Sequence, residues 1–493
     1  MDAHASRRSF LRAAAASAAA LASGCASASG RSSGSTASST GASSSTAASS
    51  ARVVGSNSAL RVGVIGLHGR GQDHLAGLRK LADVRVTAIC DVDSAVLDKQ
   101  VAAADKLGEK PHAFSDPRAL LDSGEVDAIT VATPNHWHSL LGVWAAQRGL
   151  HSYVEKPVSH DVWEGAQLEA AAKKHRVVIA CGTQCRSNPG MQQAIAWAKG
   201  GGLGRLRLAR GLCYKPRGSI GKVKAPKQPP AGVDYDVWLG PAPQQLVRRE
   251  HFHYDWHWQW DFGNGDLGNQ GVHQMDLCRW AVGQDALPPQ VLGIGGRLGY
   301  DDDGETPNTQ VVWLGYEPAP VVFEVRGLPT ARGSDKMDRF LGADVGCVLH
   351  CEHGYVVLNS YEGGYACDAD GQRVQQWQAG GDHFANFVAA VRAADPSRLS
   401  ADAHEGHLSA ALCHLGNDSL RQGKALGANA AGASAAWQPE LAEAWGRARE
   451  HLRANGLDDA VEVRYGALLR PAADGTKHPH RDYRAPFVLE PVA

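Results

Sequence analysis

Leu60-Arg61-Val62-Gly63-Val64-Ile65-Gly66-Leu67-His68-Gly69-Arg70-Gly71 is the stretch on which the fold turns. An apolar strand runs straight into a glycine loop, and a helix pattern follows with Leu75, Leu78 and Leu81 on one side. That order suits a pyrophosphate. Glycines let the backbone approach the phosphates, and the helix N-terminus offers free N–H groups and a positive dipole end. The loop is GxxGxG where the strict dinucleotide fingerprint is GxGxxG, so it needs corroboration. The second strand, Val84–Cys90, supplies it by ending at Asp91, roughly 25 residues after Gly66. A carboxylate there accepts hydrogen bonds from the adenosine ribose and repels a 2′-phosphate, which favours NAD over NADP. Asp93 competes for the same role.

Two more strands, Ala128–Ala132 and Ser152–Val154, extend the pattern, with a helix between them from about Ser139 to Arg148. In an open parallel sheet, ligands sit at the carboxyl ends of the strands. Thr133, Asn135 and His136, which follow the first of these, are therefore expected to border the cofactor, as are His68, Gly69, Arg70 and Gly71 in the loop. His136 and His138 could instead cap the following helix, and for His138 capping is the expected role.

The strand ending at Val154 leads into Glu155-Lys156-Pro157. Over a hundred residues later comes Gly268-Asn269-Gln270-Gly271-Val272-His273-Gln274-Met275-Asp276. On one helix, Asn269, His273 and Asp276 would stack along a single face. Oxidation of a secondary alcohol needs a base for the hydroxyl proton and a hydride acceptor. A lysine beside a cationic nicotinamide has a lowered pKa, and a histidine exchanges protons near neutrality. Lys156 and His273 are thus the candidate catalytic pair; the alternatives are a Lys156–Glu155 surface ion pair and a buried helix histidine. Asn269 and Asp276 are candidate substrate contacts. Gly182-Thr183-Gln184-Cys185-Arg186 opens the second domain, with Gln184 expected to touch the cofactor.

His251-Phe252-His253-Tyr254-Asp255-Trp256-His257-Trp258-Gln259-Trp260 is dense in aromatics and histidines. Aromatic faces pack on sugar C–H surfaces, so Trp256 and Trp258 are read as a carbohydrate subsite. A structural loop, or a metal site of His251, His253 and His257, are the other readings; no carboxylate motif supports the metal. Tyr214, Lys215 and Arg217 are taken as a further pocket wall. His407 and His414, on a predicted helix, are read as packing or interface residues.

The 493 residues allow two or three domains, with 43% hydrophobic and 20% charged residues. Lys+Arg (50) nearly balances Asp+Glu (51). No basic field therefore favours nucleic acid, and a neutral or weakly charged substrate is expected. Ser6-Arg7-Arg8-Ser9-Phe10-Leu11 and the alanine-rich run Ala13–Ala22 resemble a twin-arginine export signal. A disordered Arg/Ala-rich leader is the alternative. Leu21-Ala22-Ser23-Gly24-Cys25 resembles a lipoprotein cleavage box, open against ordinary cleavage nearby. The Ser/Ala/Gly-rich segment 26–58 reads as a disordered tether. The ten cysteines make no disulfide framework or paired CxxC zinc site.

Taken together, the glycine loop with Asp91, Thr133-Pro134-Asn135, Glu155-Lys156-Pro157 and Gly268–His273 resemble the glucose–fructose oxidoreductase / inositol dehydrogenase (Gfo/Idh/MocA) family over roughly residues 59–424. Its exported branch also resembles the ending Tyr483-Arg484-Ala485-Pro486-Phe487. The resemblance implies an α/β protein with an N-terminal Rossmann domain (59–180) and a C-terminal α/β domain (181–424) built on a large, mainly antiparallel open-faced sheet. Residues 425–493 would form a linker, a helix around Leu441–Leu452 and an extended tail. It further implies an NAD-dependent oxidoreductase of a sugar, cyclitol or glycoside, as homodimers or homotetramers, while the export signal adds a periplasmic or lipid-anchored location and, away from a free nicotinamide pool, tightly bound NAD. Glu155 and Lys156 would lie at the nicotinamide, with His273 as acid/base. Many members carry an aspartate where this chain has Asn269, and an amide cannot take up a proton. Two other readings stay open. One is a redox-assisted glycosidase resembling glycoside hydrolase family 109, whose tyrosine-containing motif is not seen before His273. The other is a non-catalytic sugar-binding lipoprotein.

Overall fold

A computed structural model describes residues 58–492. The expected export signal, Cys25 and nearly all of the tether lie outside the described residues. Six short, apolar strands form the first sheet: β1 (Leu60–Ile65), β2 (Val84–Cys90), β3 (His112–Phe114), β4 (Ala128–Val131), β5 (His151–Val154) and β6 (Ile179–Cys181). Every pairing is parallel, in the order β3-β2-β1-β4-β5-β6. Strand order reverses between β1 and β4, which opens a ligand crevice beyond their carboxyl ends. Two loops end there, Gly66–Gly69 and Thr133–Pro134. The connecting helices are α1 (Arg70–Leu78), α2 (Ser94–Asp105), α3 (Pro117–Asp122), α4 (His138–Gln147) and α5 (Val162–His175). Asp93, the competitor for the ribose role, instead caps α2, its carboxylate accepting from the N–H groups of Ala95 and Val96.

The second sheet has ten strands. In chain order they are β7 (Leu206–Tyr214), β8 (Val291–Gly296), β9 (Thr309–Leu314), β10 (Val321–Arg326), β11 (Val345–Cys351), β12 (Gly354–Leu358), β13 (Gly363–Asp368) and β14 (Arg373–Gln378), then β15 (Lys424–Gly427) and β16 (Glu462–Tyr465). They lie in the order β14-β13-β12-β11-β7-β10-β9-β8-β16-β15. Only β7 and β10 pair in parallel; every other neighbour is antiparallel.

Side chains alternate across this sheet, as period-2 geometry requires. Val312, Leu314, Val321 and Phe323 point to one face. There they meet helices α6 (Pro189–Lys199), α9 (Gly271–Val282) and α11 (Ala403–Arg421), while α7 (Tyr235–Leu239), α8 (Gly265–Asn269) and α10 (His383–Ala393) lie elsewhere in the chain order. Val311, Trp313 and Val322 point to the other face, against α12 (Ala428–Ser434) and α13 (Pro439–Ala454), where Trp445 is fully buried. Over β8–β10 this second face is therefore roofed rather than open.

The expected linker after residue 424 is instead β15 and α12, because Leu426 and Val463 supply an edge pair that extends the sheet. Likewise the boundary at 180/181 falls inside β6. The first domain also borrows its cover from the far end of the chain. Phe384 and Phe387 of α10 pack on its sheet with Val62 and Val64, and Phe487 and Leu489 of the tail enter its other core. Phe487 is fully buried, edge-on to Trp137 at 5.4 Å. Phe487→Ala should cost about 3–5 kcal/mol, read as a lower urea midpoint; a loss below about 1 kcal/mol would show that the tail merely rests on the surface.

Candidate active site

The glycine loop is shaped so that side chains cannot enter it. Gly66 has φ +86°, and a Cβ at Gly71 would stand 1.8 Å from the Gly66 carbonyl oxygen. Beside it, Asp91 accepts from the N–H groups of Leu67 (2.7 Å) and Asp93 (3.0 Å). Burial nevertheless pushes the Asp91 carboxyl up from its ordinary value. His68 stacks on His253 at 4.3 Å, and His253 Nε2 lies 2.9 Å from Asp93. The aromatic stretch thus reaches back over the nucleotide loop. Across the crevice the Thr133 hydroxyl is buried with no partner among the described residues. A loop with no room for a Cβ at Gly66 or Gly71, an acid fixed at the end of β2 and an unspent hydroxyl fit a dinucleotide.

One carboxylate joins this loop to the lysine. Glu155 Oε1 accepts from Arg70 Nε (2.7 Å) and lies 3.1 Å from His74 Nε2, while Oε2 accepts from the Lys156 N–H (3.1 Å). Burial opposes its charge, but Arg70 and His74 outweigh burial and hold it well below the usual carboxylate range. Arg70 also donates to Gln184 Oε1 at 2.9 Å.

The expected single helix through Asn269, His273 and Asp276 is two helices, α8 and α9, broken at Gln270. The break frees the Asn269 carbonyl, which accepts from Lys156 Nζ at 2.6 Å. Asn269 therefore holds the lysine through its backbone, and its side-chain amide forms no hydrogen bond among the described residues. Burial, against the pull of Glu155, brings the Lys156 ammonium below its ordinary pKa of 10.5. His273 is buried, and its Nδ1 has no partner among the described residues. Burial and the Lys156 charge push it down to about 3, so the imidazole is neutral. Its ring lies 5.1 Å from that of Tyr361. Gln270 links the group, donating to the Tyr361 hydroxyl (3.3 Å) and accepting from Lys215 Nζ (3.0 Å).

Several expected contacts lie elsewhere. Asp276 is wholly buried, taking both oxygens to Arg186 Nε (2.9 Å each) and accepting from Ser409 (2.6 Å). One turn beyond His273, α9 has run beneath α11, so Asp276 anchors the helix instead of meeting substrate. Tyr214 donates to Glu324 under α13; strand alternation turns it to the roofed face and turns Lys215 to the site. His136 Nε2 lies 3.0 Å from the Trp238 carbonyl, with its ring against Trp238 and Phe262, so it packs the core rather than bordering the cofactor. Asn135 donates to Asn264 (3.0 Å), and His138 bridges the Pro157 and Thr133 carbonyls. Trp256 and Trp258 are buried: Trp256 stacks on His257 at 3.7 Å and Trp258 faces Arg217 at 5.4 Å, while His251 and Tyr254 are the exposed rings of the segment. His251, His253 and His257 turn to Asp255, Asp93 and the Tyr254 carbonyl, three different places. Gln270 and Tyr361 were not singled out by sequence, and Tyr361 lies on a strand connection with no local motif.

Two family models match this chain: an oxidoreductase family with an NAD-binding Rossmann fold over residues 60–183, and the C-terminal alpha/beta domain of the same oxidoreductases over residues 209–306. The chain belongs to the Gfo/Idh/MocA family. Curated relatives include glycosyl hydrolase family 109 proteins from Solibacter usitatus (33% identical over 133 residues, 25% of this chain and 30% of that protein) and Shewanella woodyi (32% over 122 residues, 24% and 26%). The alignments thus span less than a third of those relatives. Among solved structures, the WlbA dehydrogenase from Bordetella pertussis, in complex with NADH and UDP-GlcNAcA, superposes with a TM-score of 0.54 at 20% identity, covering 72% of this chain and 95% of that one. An oxidoreductase structure from Thermotoga maritima gives 0.54 at 19%, covering 72% and 96%. At such identities these structures share the fold.

In this Gfo/Idh/MocA chain the loop geometry makes the glycines unequal. A Cβ at Gly69 meets nothing within 4 Å. Gly71→Ala should therefore abolish NAD binding, followed by quenching of tryptophan fluorescence, whereas Gly69→Ala should keep the unfolding midpoint of the parent. Equal NAD affinity in Gly71→Ala and the parent would refute this reading of the loop.

Proposed function

We propose that this protein is an exported, NAD-dependent oxidoreductase that acts on a secondary alcohol of a sugar, cyclitol or glycoside. The observation that carries the reading is a half-buried lysine, held by the freed Asn269 carbonyl, whose charge bears on a neutral histidine at the NAD-binding crevice. When bound, the nicotinamide supplies the hydride acceptor. Lys156 donates a hydrogen bond to the alcohol oxygen and stabilises the negative charge that develops there. Neutral His273 takes up the hydroxyl proton. Glu155 and Asn269 set the lysine from two sides, and Asp276 with Arg186 sets the helix that carries the histidine.

The pH dependence has a definite sign. Lys156 must be protonated to donate, so kcat/KM falls as pH rises through its depressed pKa, below 10.5. His273 stays neutral down to about 3 and adds no acid limb near 6.5. Lys156→Met should lower kcat by about 10²–10⁴-fold and remove the alkaline limb. A Lys156→Met profile that keeps this limb would assign it to another group.

A second reading, a redox-assisted glycosidase, is favoured by the family 109 relatives and by Asn269 where many members carry a proton-accepting aspartate. The two part company in their products. Incubation with sugars and glycosides, followed by absorbance at the NADH band and mass spectrometry, should give NADH and a product two mass units lighter. Aglycone release without net NADH would assign the glycosidase. Sugar affinity that survives Lys156→Ala, with no turnover in the parent, would leave a binding scaffold.

A further inference from the structure

Two ammonium groups in this crevice have only neutral partners. Lys156 Nζ donates to the Asn269 carbonyl, and Lys215 Nζ to the side-chain oxygen of Gln270, at 2.6 and 3.0 Å. The two acceptors belong to consecutive residues at the break between α8 and α9, which brings both ammonium groups to one spot. Neither lysine forms an ion pair among the described residues, whereas Arg217, two residues beyond Lys215, is neutralised by Asp266 at 2.8 Å. Each ammonium has three N–H donors, so most of this donor capacity is unused by protein hydrogen bonds. Both lysines are half-buried, and Glu155 and Asp266 act on them only at a distance, so two directly unpaired cations face the crevice and favour an anionic ligand there. A cationic nicotinamide would add to the imbalance.

We propose that the substrate of this site carries a carboxylate close to the alcohol that is oxidised, so that the protein acts on a sugar acid, with Lys215 as the residue that selects it. The inference rests on the alcohol-oxidising reading of the crevice. It also revises the expectation of a neutral substrate, because balanced charge over the whole chain does not forbid a local surplus. Lys215 reaches the site along β7, with its ammonium steadied by Gln270, and Gln270 is bound in turn to the Tyr361 hydroxyl. A planar carboxylate with two acceptor oxygens suits two ammonium donors. A phosphate ester is the competing anion, and it is better met by runs of backbone N–H groups such as those of the glycine loop.

The full chain loaded with NAD should be titrated calorimetrically with matched pairs: glucose and glucuronate, galactose and galacturonate, with glucose 6-phosphate as the phosphate arm. At least one acid should bind ten or more times tighter than its neutral partner, and the preference should shrink as salt rises. Lys215→Gln should lower the acid-to-neutral affinity ratio about tenfold, and Lys215→Arg should restore most of it. Urea midpoints of both variants separate this from a folding defect, and the salt dependence of the parent needs no variant. The proposal falls if no acid outbinds its neutral partner, if the phosphate outbinds the acids, or if Lys215→Gln weakens acid and neutral sugar alike. Neutral sugars oxidised without acid preference would sink this inference and leave the oxidoreductase standing. Selective acid binding without hydride transfer would do the reverse.

Discussion

The buried Glu155 carboxylate is the joint on which the site hangs. It receives Arg70 from the start of α1, His74 one turn further along that helix, and the Lys156 backbone N–H just past β5. Gly182 packs so closely that a Cβ there would meet a Glu155 oxygen at 2.7 Å. The glycine loop, Lys156 and the Gly182 turn are thus set by one side chain. Removing one partner from a buried ionic cluster typically costs 3–5 kcal/mol, so this arrangement is held to a narrow geometry. It also separates two jobs: Glu155 compensates Arg70, while Lys156 turns its ammonium away to a neutral carbonyl.

What the sequence disclosed follows the range of the interactions concerned. The glycine loop, Asp91 and the lysine after β5 are local signatures, since each depends on a strand end and a few neighbours, and the structure puts all three beyond the carboxyl ends of the first sheet's strands. Interpretation failed where a tertiary partner decides. Asp276 has the right helical spacing to meet substrate, yet Arg186 and Ser409 claim it from other segments. The aromatic stretch looked like a sugar platform because its composition is that of one, but Trp238, Phe252 and Phe262 make much of it a core. Tyr214 and Lys215 differ by one position, and the alternation of β7 sends them to opposite faces. That distinction needs the strand register, which a three-residue cluster does not reveal. Tyr361 had no signal at all, because only pairing of β12 with β13 brings its connection to His273.

The break at Gln270 shows how a local defect becomes chemistry. An unbroken helix would consume the Asn269 carbonyl in its own ladder. With the helix interrupted, the His273 N–H turns to the Gln270 carbonyl at 3.2 Å, and the Asn269 carbonyl is left for the lysine. The lysine is thus held by the backbone at 269, whichever side chain that position carries.

The return of the chain's end to its beginning has a consequence for the timing of folding. The nucleotide-binding sheet is complete in sequence at β6, yet Phe487 and Leu489 belong to one of its cores and α10 to the other. A ribosome adding 5–20 residues per second needs about 15–60 s to travel the roughly 300 residues between them. Through that interval the first sheet stands with apolar surface uncovered, and it closes only once Phe487 and Leu489 have been made. The nucleotide-binding sheet and the segment around Phe487 therefore mature together.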